Sequence, residues 1–410
     1  MKNILVVCES LKINGTSSGI VSSTFITLLN ESGYSVNVIT ENNFDYPITW
    51  LPNEVSVRKF DISPVKRNVF DKMPKIKALP SYITGFSKDF RNTINHYKKE
   101  IEIELSLNKF DAIYALGSGN AFAPHFALAE MNLSIPFYVN IHDPFPMHVY
   151  PEPYKKSKNW INALLEKKFA VVLEKAKGIS FPSQLLMDDM AKTFPRIKEK
   201  GFIIPHIGAT MNSLPSENGD DDVALNAFKI NILHAGTLLG PRNPTYLLQA
   251  IGELNAEYPE LMEQVVFTFV GKVNKALTTV VSASKTSNVS FLTSRFSYKK
   301  SLELISQSQA SLVIEAISQF SPFLPGKVAD IAFAGKPIIS LSPKKSEVRR
   351  LLGSNYPYQT ELDNVKEMKQ MLLQFINDYK SDTVNDKAMI ELKNYVSVKH
   401  NSEVLKQIFK

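Results

Sequence analysis

The stretch QFSPFLPGKVADIAFAGKPIISL (319–341) places Lys327 and Asp330 three positions apart behind a proline-rich loop. Pro325-Gly326-Lys327 leads into a helical pattern, and the N-terminal end of a helix favours an anion. Phe323, Leu324 and Gly326 can offer backbone N–H groups there, whereas Pro322 and Pro325 cannot. Lys327 adds a mobile positive charge. Asp330 shares its helix face, where a carboxylate can accept hydrogen bonds from two ribose hydroxyls. Phosphate donors followed by a diol acceptor are what a nucleoside diphosphate requires. The same two residues also suit a surface ion pair, worth a few tenths of a kcal/mol. A second segment, LHAGTLLGPRNPTYLL (233–248), tips the balance toward a site. It carries Gly236, then Arg242 just before a helix that Pro244 can start. Arginine forks onto phosphate with two parallel N–H groups.

The first half has weaker candidates. In NIHDPFPMHVYPEPY (140–154) a strand pattern ends at His142 and Asp143 before Pro144. Such a pair can act as a general base or bind sugar hydroxyls. It also suits a turn begun by Asp143 with His142 packed on a core. His125 and His148 lie nearby in sequence, yet no H-E-x-x-H spacing occurs. The single cysteine, Cys8, precludes a multi-thiolate zinc site, and no metal is expected. In ESLKINGTSSGI (9–20), Gly15 and Gly19 bracket small hydroxyl residues before a helix. The spacing is neither G-x-G-x-x-G nor a P-loop.

These residues need elements to position them. NILVVCE (3–9), a helical 19–33 and YSVNVIT (34–40) read as a βαβ unit, hence parallel strands. Strand patterns at 110–117, 136–143, 178–183 and 200–208 continue it. A polar, turn-rich stretch at 211–222 reads as a linker. A second series follows: strands at 228–236, 265–271, 288–294, 310–316 and 336–342, with helices at 244–258 and 299–309. The tail from about 365 is helical and amphipathic. The fold class is therefore α/β: two Rossmann-like, doubly wound domains in tandem, 1–208 and 209–387. In such sheets ligands sit beyond the carboxyl ends of the strands, which is where the candidate residues fall.

Composition bounds the partners. Of 410 residues, 44% are hydrophobic and 21% charged, the range of a soluble globular chain. No run approaches the roughly 20 apolar residues of a membrane span. The opening MKNILVVCES reads as a buried strand rather than a leader. A lone cysteine fits a reducing cytoplasm. The net charge of +7 favours acidic partners mildly. No zinc-finger or RNA-recognition signature points to nucleic acid. Segment 63–92 mixes Lys66, Arg67, Lys72, Lys75, Lys77, Lys88 and Arg91 with apolar residues. It reads either as a solvated face or as a surface resting on an anionic bilayer at the inner face of the membrane.

With these residues in hand, the chain resembles the GT-B glycosyltransferases, and among them the retaining family-four type of the bacterial surface-polysaccharide branch. The resemblance covers nearly the whole chain. GTLLGPRNPTYLLQAI is similar to that family's strand–glycine–basic–helix segment, which implies that Gly236 and Arg242 meet the donor diphosphate. SPFLPGKVADIAFAGKPIISLS resembles its donor loop. That implies phosphate contacts from Phe323, Leu324, Gly326 and Lys327, and ribose contacts from Asp330. NIHD resembles the strand end carrying the active-site histidine, which gives His142 that role with Asp143 in support. TSSGI stands where the family has a Gly-Gly turn, of which Gly19 remains. The family's loop carries two glutamates eight positions apart; here Asp330 fills the second position and Pro322 the first. Glu315 is the nearest carboxylate, seven residues early.

The resemblance implies two domains facing a cleft, with helix 388–410 packing back on the first. It implies transfer from a nucleoside diphosphate sugar to a hydroxyl acceptor, with retention, domain closure and no cofactor. The acceptor is expected to be a lipid-linked glycan. Two other activities fit the same architecture: a nucleotide-sugar epimerase and a non-catalytic binding subunit.

Overall fold

The structure is a computed structural model. It describes residues 1–65, 74–117, 119, 121–208, 214–217, 220, 223–283, 286–293, 296–385 and 387–409, without the side chains of 74–77 and 283. The chain divides into two units, Met1–Pro205 with Asn401–Lys410, and His206–His400.

The first unit is a parallel sheet of β1 (Asn3–Cys8), β2 (Ser35–Glu41), β3 (Ser56–Phe60), β4 (Ala112–Leu116), β5 (Phe137–Asn140), β6 (Gly178–Phe181) and β7 (Gly201–Ile203). Their order is β3-β2-β1-β4-β5-β6-β7. Between them run α1 (Ser17–Glu31), α2 (Pro74–Thr84), α3 (Lys88–Leu107), α4 (Ala123–Glu130), α5 (Trp160–Lys175), α6 (Gln184–Thr193) and α7 (Ile197–Lys200). Strands covered on both faces read as unbroken apolar runs, and β4, β5 and β6 are buried at every position. Winding reverses at β1, which pairs with β2 on one side and β4 on the other.

The second unit repeats the plan with β8 (Ile230–Ala235), β9 (Val265–Val270), β10 (Val289–Leu292), β11 (Ala310–Ile314), β12 (Phe320–Ser321), β13 (Ile338–Leu341), β14 (Lys345–Ser346) and β15 (Gln359–Thr360). Its main sheet runs β10-β9-β8-β11-β13-β15, and β12 pairs separately with β14. The helices are α8 (Thr245–Glu257), α9 (Pro259–Met262), α10 (Thr278–Ala283), α11 (Tyr298–Gln307), α12 (Lys327–Phe333), α13 (Glu347–Leu352), α14 (Val365–Lys380) and α15 (Lys387–Tyr395). Here winding reverses between β8 and β11, so the loops leaving these strands flank the switch point where such sheets take ligands.

The tail differs from a single helix over 388–410. It is α15 followed by α16 (Val398–Ile408). Residues from 401 onward belong with the first unit. There Phe409 packs on Tyr34 and Tyr138 at 5.1 and 4.9 Å between ring centroids. Ser402 Oγ lies 2.6 Å from Ser32 Oγ. Most of the stretch read as a linker, 211–222, lies outside the described residues.

Candidate active site

Two glycines shape the end of β8. Gly236 follows the strand at φ +139°, and its N–H donates to Val270 O at 2.8 Å. Gly271 ends β9 at φ +124°, where an added Cβ would lie 2.7 Å from Gly236 O. The two backbones therefore pass too close for side chains. A Cβ on Gly236 would meet only Lys327 Nζ, at 4.0 Å, so the space before that ammonium stays open.

Lys327 does not pair with Asp330. Its Nζ lies 3.1 Å from His234 Nδ1 and 3.1 Å from Leu312 O, drawn back toward β8 and β11. Desolvation, with the Arg242 cation nearby, pushes the Lys327 pKa down to about 7, while Glu315 opposes the shift. A bound anion would restore the full positive charge. His234 is buried and held neutral by burial and by the two cations. Its Nδ1 also lies 3.3 Å from Leu312 O. It accepts from Lys327 only as the tautomer with the proton on Nε2, and buried Nε2 has no partner among the described residues.

Arg242 lies in the turn before α8, with its N–H bonded to Leu239 O at 2.8 Å. Among the described residues its side chain makes no hydrogen bond or ion pair, and its Nε is buried and unpartnered. Pro244 caps α8 rather than starting it, and Asn243 Oδ1 accepts from the Thr245 N–H at 3.0 Å.

Asp330 is held from another direction. The buried Tyr298 hydroxyl, at the start of α11, donates to Asp330 Oδ1 at 2.6 Å. Burial pushes the carboxyl up to about 7, and the Tyr298 bond works against that rise. The surface ion pair is thus not formed: one partner turns to the strands and the other to α11.

The backbone of the proline-rich loop before α12 is partly committed. Val328 and Ala329 N–H close onto Pro325 O and Gly326 O at 2.9 and 3.1 Å. Among the described residues, no backbone hydrogen bond uses the N–H of Leu324, Gly326 or Lys327. Phe323 already has an interaction of its own, and the Leu324 side chain belongs to the core.

Glu315 ends in an informative place. It follows β11, is buried, and accepts from the hydroxyl of Ser321, the residue just before Pro322. Burial pushes it up to about 7 against the Ser321 bond and the Arg242, Arg349 and Lys327 cations. Its Oε1 is buried without a partner among the described residues. A carboxylate seven positions early in sequence thus folds back to the edge of the proline-rich loop.

In the first unit, His142 Nε2 accepts from the Gly119 N–H at 3.1 Å, and its buried Nδ1 has no partner among the described residues. The Asp143 carboxylate lies 3.8 Å from the same Nε2, beyond hydrogen-bond reach. The expected His–Asp support is therefore not a hydrogen bond here. His125 is core: Nε2 meets Asn140 O at 2.9 Å, and burial pushes it down to about 3. His148 pairs with Glu166 at 2.6 Å. No group of three His, Cys, Asp or Glu side chains able to hold a metal occurs among the described residues. Gly19 is accounted for by packing: an added Cβ would fall 2.0 Å from Lys12 O.

No family model matches this sequence, and no curated protein matches it. Solved structures do. A sucrose-phosphate synthase from Thermosynechococcus elongatus superposes with TM-score 0.69 at 10% identity, over 100% of this chain and 98% of that one. An α,α-trehalose-6-phosphate synthase from Burkholderia multivorans gives 0.64 at 10%, covering 100% and 98%. Anabaena HepE in complex with UDP and glucose gives 0.60 at 14%, covering 99% of each.

The chain has the GT-B fold.

In this GT-B chain, three neighbours of the candidate site escaped the sequence reading. Tyr298 and His234 were missed because each meets its partner only through the fold. Arg349, on α13, donates to Ser342 O at 2.8 Å and adds positive charge near Glu315. Its signal was a basic pair after a Ser-capped helix start in SEVRR (346–350). In segment 63–92, Lys66, Arg67 and Lys72 lie outside the described residues, as do the side chains of Lys75 and Lys77. Lys88 is exposed, whereas Arg91 is taken up by Glu130 at 2.6 Å and the Phe86 ring.

Proposed function

We propose that this chain is a glycosyltransferase of the retaining family-four type. It would move a sugar from a nucleoside diphosphate sugar, held by the second unit, to a hydroxyl acceptor. The observation that carries the proposal is the approach of Lys327 and Arg242 to His234 at the β8–β11 switch point, with the Arg242 side chain unpaired among the described residues and Asp330 one turn on along the helix that Lys327 opens. As the glycosidic bond stretches, charge grows on the leaving diphosphate. Arg242 and Lys327, already aimed and partly desolvated, would stabilise it more in the transition state than in the ground state. Asp330 would take the ribose hydroxyls. His142, clamped by Gly119, would position the transferred sugar. The neighbour solved with UDP and glucose supports a nucleotide-sugar donor.

The acceptor in this reading is a lipid-linked glycan, reached from the cytoplasmic face of an anionic membrane in polysaccharide assembly. The support is a surface on the first unit. Leu79, Tyr82 and Ile83 of α2 and Trp160 of α5 are all more than half exposed. Trp160 Nε1 is tied to Tyr82 O at 2.8 Å, and Lys155 and Lys156 are exposed just before α5. Aromatic and basic residues together suit a headgroup layer. No helix among the described residues is long and apolar enough to cross a membrane.

Pro322 and the burial of Glu315 favour a second reading, a subunit that binds the donor without transferring it. Incubation with a panel of nucleoside diphosphate sugars and a lipid-linked oligosaccharide extract decides between them. Release of nucleoside diphosphate with label entering the lipid fraction supports transfer. Donor binding with neither supports the second reading. A sugar converted without acceptor indicates epimerisation.

A further inference from the structure

We infer that Tyr298 is the positioning residue that presents Asp330 to the ribose diol of the bound nucleotide. The inference rests on the donor-site reading above and goes beyond it in making ribose recognition depend on a second helix.

The geometry runs from α11 to α12. Ser297 caps α11 by accepting from the Lys300 N–H at 2.9 Å, which fixes Tyr298 as the first helical residue. The Tyr298 side chain is buried, and burial beside Asp330 pushes its hydroxyl well above the ordinary phenol range. It therefore remains a donor. Its hydrogen bond occupies Oδ1 of Asp330 at 2.6 Å. Oδ2 has no hydrogen-bond partner among the described residues, and Asp330 keeps part of its surface.

A carboxylate has about four acceptor positions. One bond from Tyr298 locks the rotamer and leaves Oδ2 and a second lone pair on Oδ1 for two hydroxyls. The same bond favours the ionised form, which is the form that accepts from both. Without Tyr298, Asp330 would be less ionised and free to rotate. Lys327, on the same helix, cannot take over, because its ammonium is turned to His234 and Leu312 O.

The test is calorimetric. UDP, GDP, CDP and ADP are titrated into the full chain, and the tightest is compared with its 2′,3′-dideoxy counterpart. Wild type is expected to prefer the ribonucleotide. Tyr298→Phe should cut that preference about tenfold, through loss on the ribonucleotide alone. Asp330→Asn should cut it at least as far, and the double variant no further than Asp330→Asn. The inference is overturned if Tyr298→Phe leaves the preference intact or weakens both nucleotides equally. A wild type that binds both nucleotides alike overturns it while leaving the diphosphate reading standing. A wild type that binds none of the four removes the donor-site reading and this inference with it.

Discussion

Glu315 shows what one buried carboxyl does at such a site. Its pKa rises from an ordinary 4.5 to about 7, so between those values the folded chain holds a proton that the unfolded chain has lost. That contribution to stability is complete below about 4.5 and is lost as pH rises through about 7. Wild-type stability should therefore fall between pH 5 and pH 8. Glu315→Gln should flatten that fall by up to about 3 kcal/mol, read from urea melts at the two pH values. Equal slopes in wild type and variant would mean that Glu315 is ionised throughout. The residue was readable in sequence only as a carboxylate in the wrong place, because the link to Ser321 closes when β12 pairs with β14. Lys327 and Asp330 were readable as a pair on one face. Their separation was not, since His234 and Tyr298 come from elements 93 and 32 residues away.

At the scale of elements, strands buried on both sides were plain in the sequence. β1, β4, β8 and β11 are mostly apolar and buried, with Asn231, His234 and Ser311 as polar exceptions in β8 and β11, and each fell where expected. Polar edges were not. β3 (SVRKF) lies at the edge of its sheet with one buried residue in five, so no periodicity marked it. The two-residue strands β12, β14 and β15 are too short to carry a pattern. The surface at α2 and α5 was half legible: α2 lay within the basic-apolar segment, but Trp160 joins it only through the fold. Flotation with phosphatidylglycerol vesicles should recover the chain, and phosphatidylcholine vesicles should not. Trp160→Ala and the pair Lys155→Glu with Lys156→Glu should each reduce recovery several-fold. Equal recovery by both lipids, or by none, contradicts the membrane-face acceptor.

For the whole molecule, the double βαβ series made the tandem plan legible, since alternation of strand and helix leaves few topologies. The break between α15 and α16 was not, because both stretches are amphipathic and join within a few residues. The return of residues 401–410 gives the first unit a ring cluster of Tyr34, Tyr114, Tyr138 and Phe409. Phe409→Ala should cost about 3–5 kcal/mol there, seen as an earlier loss of the first unit in a thermal melt. An unchanged melt would show that the tail does not hold that unit.

The central claim is that the β8–β11 switch point of the second unit holds a nucleoside diphosphate through Arg242. Titration of UDP, GDP, CDP and ADP into wild type and Arg242→Ala tests it most directly. At least one nucleotide should bind wild type, and the substitution should weaken it roughly ten- to a hundredfold, the loss expected for a hydrogen bond to a charged group. Binding that Arg242→Ala leaves unchanged, or no binding by any of the four, would contradict the account.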